Sequence, residues 1–188
     1  MRATIIPILL GLALPSAALA QEPQAVRGEI DISGIAPSAC LISGAARGSG
    51  TNAVLGTATT RQADIRILEL VDPLSSQARA TSISLILPII CNVGHRVVVR
   101  TVNGGLTRSN QAGGDQATPG FRSSIPYSVN ARWAGVTVTG ASQSPVNLVA
   151  PDAAAGELGI DINIPGGGDP LIAGTYSDQL VVELRVAT

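Results

Sequence analysis

No segment of this chain repeats its apolar residues at the helical period over a length that would hold a helix; they recur instead at every second position. Ser82 to Cys91 is the clearest case, with Ile83, Leu85, Leu87, Ile89 and Cys91 on one parity. Alternation of this kind puts one side of an extended chain in a core and the other in solvent. Pro88 removes a ladder donor from that run, which implies a bulge or a sheet edge there. Arg96 to Val102 sets Val97 and Val99 against Arg96 and Arg100, whose guanidinium groups read as a solvated outer face. Leu180 to Val186 alternates again, with Leu180, Val182, Leu184 and Val186 as its apolar parity.

Further short strands are expected at Tyr127 to Trp133, Val136 to Thr139, Val146 to Val149 and Leu158 to Ile164, with a weaker one at Ala53 to Leu55. Ile65 to Val71 reads either as a strand or as a turn and a half of helix. Asn103-Gly104-Gly105 is a turn, and the Gly-, Asn- and Gln-rich stretch from there to about Arg122 reads as a surface loop. The 21 glycines and 12 prolines, beside 45% hydrophobic and 13% charged residues, suit many short strands joined by tight turns. Eight to ten strands in one domain form a β-sandwich, because an antiparallel sheet needs a second layer over its apolar face.

The start of the chain speaks to the compartment. Arg2, the apolar run Ile5 to Leu14 and Ala18-Leu19-Ala20 before Gln21 have the form of a cleaved signal peptide over residues 1–20. The apolar run is too short to span a bilayer, so the expected product is exported without direct membrane insertion. In that compartment Cys40 and Cys91 are expected to form one disulfide, the alternative being two buried free thiols. Two isolated cysteines with one His95 lack the spacing of a zinc site, and no metal is expected.

Catalytic patterns are missing from the sequence. There is no G-x-S-x-G elbow, no partner spacing for a triad around His95, no phosphate-binding loop and no dinucleotide fingerprint. Gly166 to Gly168 leads to Asp169-Pro170 and no helix, so it is a loop. His95 reads as a surface residue of a hairpin turn, Tyr127 and Trp133 as core or rim aromatics, and Tyr176 and Asp178 as residues that order the entry to the last strand. The strong bases are all arginines, scattered singly, and the formal net charge is −1, which excludes a nucleic-acid footprint. Neither an enzyme nor a cofactor is expected.

The remaining feature is Val26 to Gly34, where Val26, Gly28, Ile30 and Ile32 share one parity and Arg27, Glu29 and Asp31 the other. This amphipathic strand precedes the cysteine-bounded body. Periodicity does not separate an ordinary first strand of the domain from one that pairs elsewhere.

Several pieces taken in order resemble the spore coat protein U domain family, which contains the pilins of archaic (Csu-type) chaperone–usher pili. They are Val26-Arg27-Gly28-Glu29-Ile30-Asp31-Ile32 leading to Cys40, then Ile89-Ile90-Cys91-Asn92, the strand ending at Asn103-Gly104-Gly105, Tyr127-Ser128-Val129, and Gly174-Thr175-Tyr176-Ser177-Asp178 before the terminal strand. The resemblance implies an incomplete immunoglobulin-like sandwich over residues 37–188, lacking one edge strand, and an N-terminal donor-strand extension over residues 21–36. It implies that Val26, Gly28, Ile30 and Ile32 enter the groove of a neighbouring pilin subunit, beside that subunit's Leu180, Val182, Leu184 and Val186. A periplasmic chaperone and an outer-membrane usher are the implied partners, and a surface fibre for adhesion or biofilm formation the implied product. A coat protein using the same domain and a secreted monomeric β-sandwich that binds a ligand are the alternatives.

Overall fold

Every regular element is a β-strand among the residues described by the computed structural model, 28–109 and 118–187. Val26 and the expected signal peptide lie outside that range. The chain divides into two units, residues 1–35 and 36–188. In the first, the described residues 28–35 form no strand and are exposed.

The second unit is built on β5 (Thr81–Cys91) and β12 (Ala154–Ile164), antiparallel neighbours across their full lengths. β9 (Ser128–Trp133) and β10 (Val136–Ala141) extend the sheet beyond β12. On the far side of β5 two short strands share its edge: β1 (Cys40–Ile42) beside Ile89 to Cys91, and β2 (Arg47–Thr51) beside Ser82 to Ile86. Pro88 lies at the junction between them. Its carbonyl accepts the Ser43 N–H at 2.9 Å, so its nitrogen faces the point where β1 has ended and no ladder donor is required. In place of a sheet edge the proline meets a local gap between β1 and β2, and β5 runs through it unbroken.

A second sheet has the order β11 (Val146–Ala150), β6 (His95–Thr101), β14 (Leu180–Val186). Ile83, Leu85 and Ile89 of β5, Leu158, Ile160 and Ile162 of β12, and Val97 and Val99 of β6 form one buried cluster with Val146 and Leu148 of β11. Two sheets sharing one apolar interior make a β-sandwich. The rest comprises the hairpin β3 (Ala53–Ala58) with β4 (Ala63–Ile67), and a small sheet of β7 (Leu106–Ser109) between β8 (Ser124–Ile125) and β13 (Thr175–Ser177).

Three expectations are corrected. The stretch after Gly105 is not wholly a loop, because β7 occupies its first four residues and β13 pairs with it in register Tyr176 to Arg108. A strand with no long apolar alternation has little periodic signal, and β7 is held by partners distant in sequence. Strands also outnumber the expected eight to ten, with fourteen among the described residues. Finally, His95 is buried, with 1% of its surface exposed. It is not in a hairpin turn either, because β5 and β6 lie in different sheets; it is the first residue of β6 and points inward with Val97 and Val99.

Candidate functional site

One sheet edge is open. β14 pairs with β6 on one side, and among the described residues no strand pairs with the other. At its two ends, the Val102 N–H donates to the Gln179 carbonyl and the Ala187 N–H to the Gly94 carbonyl, each at 2.9 Å. In an antiparallel ladder the hydrogen-bonded pairs alternate, so the odd-numbered residues of β14 direct their main-chain groups at β6. The N–H and C=O groups of Leu180, Val182, Leu184 and Val186 point to the open side. The same four side chains are half-buried, so one parity of this strand provides both the free main-chain edge and the apolar contact.

Beside this edge is a cleft of about 670 Å³. Ile83, Leu85 and Leu87 of β5 and Ile160, Ile162 and Ile164 of β12 line it, together with Leu180 to Val182 of β14 and the Thr59 to Ile65 part of the β3–β4 hairpin. The cleft therefore reaches the interior of the sandwich, along the edge of β14 that has no partner strand among the described residues. Polar groups gather at one end, where Tyr127, Asp178 and Gln179 also line it.

That end is tightly built. Asp178 Oδ1 accepts the N–H of Gln179 at 2.8 Å and of Asn103 at 2.9 Å, while its Oδ2 accepts the Tyr127 hydroxyl at 2.9 Å. Burial, followed by the hydrogen bond to Asp178, pushes the Tyr127 phenol far above its usual range. The Tyr176 hydroxyl donates to the Ile172 carbonyl at 2.8 Å. Tyr176 and Asp178 thus order the entry to β14, and the Asn103-Gly104-Gly105 turn is tied to it from the other strand.

The opposite end of the body carries the disulfide. Cys40 and Cys91 are directly opposed in the β1–β5 register and bonded, with Cα atoms 4.1 Å apart. Asn92, next in sequence, donates from Nδ2 to the Pro37 carbonyl at 2.8 Å and accepts the Ala39 N–H on Oδ1 at 2.7 Å. Its side chain imitates a strand partner for the segment leading into Cys40. The sequence reading quoted Asn92 without a role; an amide beside a cysteine has no signal until the register is known.

His95 lies close to the disulfide, and the three candidate ligand atoms of Cys40, Cys91 and His95 fall within 4.8 Å of one another. The sulfurs are bonded to each other. The indole N–H of Trp133, which can only donate, gives its hydrogen to His95 Nε2 at 2.7 Å, so Nδ1 carries the proton and donates to the Val93 carbonyl at 2.8 Å. The imidazole is a neutral structural link between the sheets.

The expected donor residues differ in where they stand. Gly28, Ile30 and Ile32 are described and Val26 is not. Ile30 and Ile32 are exposed to 86% and 93%, and Ile35 to 97%. Comparison with protein-family models, curated proteins and solved structures finds no match to this chain.

Proposed function

We propose that the protein is a structural subunit that polymerises by strand exchange, as the pilins of archaic chaperone–usher fibres do. Its body is then an immunoglobulin-like sandwich lacking one edge strand, and the occupant of the cleft is residues 21–36 of a second copy or a related subunit. The observation that carries this reading is a pairing of needs within one chain. An apolar cleft runs beside four unpaired main-chain positions of β14, and isoleucines at alternate positions, Ile30 and Ile32, stand in solvent.

Each need answers the other. Main-chain hydrogen bonds to β14 supply pairing that does not depend on sequence, while alternate side chains enter the cleft. Val26, Ile30 and Ile32 each contribute roughly 1.5–3 kcal/mol if fully buried, and Gly28 allows close approach. Before assembly the open cleft is an aggregation hazard, which is the reason for a periplasmic chaperone, and delivery to the cell surface requires an outer-membrane usher. Adhesion or biofilm formation is the use of such a fibre.

Ile30→Asp tests the assignment. A carboxylate forced into an apolar pocket costs several kcal/mol, so the variant loses polymer while its chaperone-bound subunit is recovered at the parental level. Glu29→Ala, on the other parity, polymerises nearly as the parent does. Loss of the soluble subunit together with the polymer overturns the assignment, because the segment would then belong to its own subunit's core. A chain that stays monomeric with its chaperone and usher supports the monomeric ligand-binding alternative instead.

A further inference from the structure

We infer that the β3–β4 hairpin is a flap over the cleft, moving outward to admit a strand and closing on it afterwards; this rests on the cleft being the acceptor site. The hairpin is a two-stranded sheet of its own, hydrogen-bonded in a ladder to no other strand among the described residues. Its tip and β4 nevertheless form part of the cleft, from Thr59 through Ile65 and Ile67. Wall residues with no ladder to the sandwich can move without breaking a sheet.

Its construction differs along its length. The base is pinned: Asn52, at φ 62°, donates from Nδ2 to the Glu69 carbonyl at 2.6 Å and to Thr81 Oγ1 at 2.8 Å, and accepts the Glu69 N–H at 2.9 Å. Glu69 is also paired with Arg79, and Ala53 is buried. The tip is a rigid turn, with Thr59 Oγ1 accepting the N–H groups of Arg61 at 3.2 Å and Gln62 at 3.1 Å. Between base and tip the ladder slips, from Leu55 opposite Ile65 to Ala58 opposite Ala63. Gly56 and Thr57 therefore stand against Asp64 alone, the arrangement of a β-bulge, which locally interrupts pairing and bends the strand.

Beyond the bulge the hairpin has little to hold it. Thr59 to Gln62 are exposed and Ala58 and Ala63 only half-buried, which puts this half at the low end of the molecule's local stability. The moving part is Ala58 to Asp64, the hinge is the bulge, and Asn52 keeps the base fixed to β5.

The test replaces residues 59–62 by Asn-Gly in the full exported chain carrying Ile30→Asp, so that its own extension does not compete. Three readouts are taken against the untrimmed chain: binding of a dye specific for exposed apolar surface, association and dissociation rates of a labelled peptide of residues 21–36, and hydrogen exchange. A retained disulfide and an unchanged far-ultraviolet spectrum establish that the trimmed chain is folded. The flap predicts increased dye binding, severalfold faster peptide association and dissociation, and, in the untrimmed chain, amides at 58–64 that exchange far faster than those of β5 and slow when peptide is bound. Unchanged dye binding and hairpin amides as protected as those of β5 overturn it. If the trimmed chain does not fold, hydrogen exchange in the untrimmed chain decides by the same criterion. Should the peptide bind neither chain, the strand-exchange reading fails, and the dye and exchange results still decide whether the hairpin moves.

Discussion

Single side chains of the sandwich make opposite demands on pH. Tyr127 is held as a neutral phenol by burial and by Asp178, so it stabilises the fold fully below the ordinary tyrosine value of 10.0. As pH rises above that value the unfolded chain ionises and the folded one does not, and stability falls. A Tyr127→Phe chain is expected to lose the hydrogen bond at neutral pH but to show a shallower alkaline decline in thermal midpoint. Asp161 behaves in the reverse sense. Its hydrogen bond from Arg132, assisted by one from Ser84 at 2.7 Å, holds the carboxyl below its usual 3.8. The stabilisation is present above that value and disappears as pH falls through the lowered one. Asp161→Asn is expected to flatten the acid limb of the same curve, by a small amount because the group is largely solvated. At the interior, His95→Ala removes the acceptor of the Trp133 indole N–H and leaves a cavity, a loss of about 3 kcal/mol in chemical denaturation.

Among the elements, the β9–β10 hairpin contains a residue at odds with its turn. Ala134 and Gly135 link the strands with φ of 48° and 78°, a two-residue turn with both central residues left-handed, which favours Asn-Gly over Ala-Gly. Ala134→Asn is expected to raise stability by about 1 kcal/mol, read as a higher denaturation midpoint with an unchanged slope. Elements of this molecule were legible in the sequence in proportion to their alternation. The terminal strand and most of β5, β6, β9 and β11 could be read because one face of each meets the core. β2, with its Arg-Gly-Ser-Gly-Thr sequence, and the small β7–β8–β13 sheet carry no such pattern and are held by distant partners. The candidate site divides the same way: the apolar parity of β14 could be read, whereas the cleft could not, because it is made from elements distant in sequence that only the topology brings together. His95 was misread for a related reason, since its burial depends on Trp133, 38 positions away.

For the whole molecule, the disulfide joins residues 51 positions apart, and the chain-entropy estimate for such a loop is about 4 kcal/mol. Replacing both cysteines by serine is expected to reduce the yield of folded protein more than any surface change, measured as soluble protein recovered. If subunits exchange strands, exported material runs as a ladder of multimers that survives detergent at room temperature and collapses on heating. The clamp of Asn92 on Pro37 and Ala39, beside Cys40–Cys91, has a mechanical meaning as well. Tension applied to the N-terminal segment reaches the body at Cys40, where a covalent bond passes it directly to the end of β5, a strand running the length of the larger sheet. The load therefore bypasses the three-residue strand β1, which would otherwise unzip one hydrogen bond at a time. Under a steady pull the body is expected to behave as a rigid link, and reduction of that single bond to convert it into a spring that lengthens by the slack between residues 40 and 91.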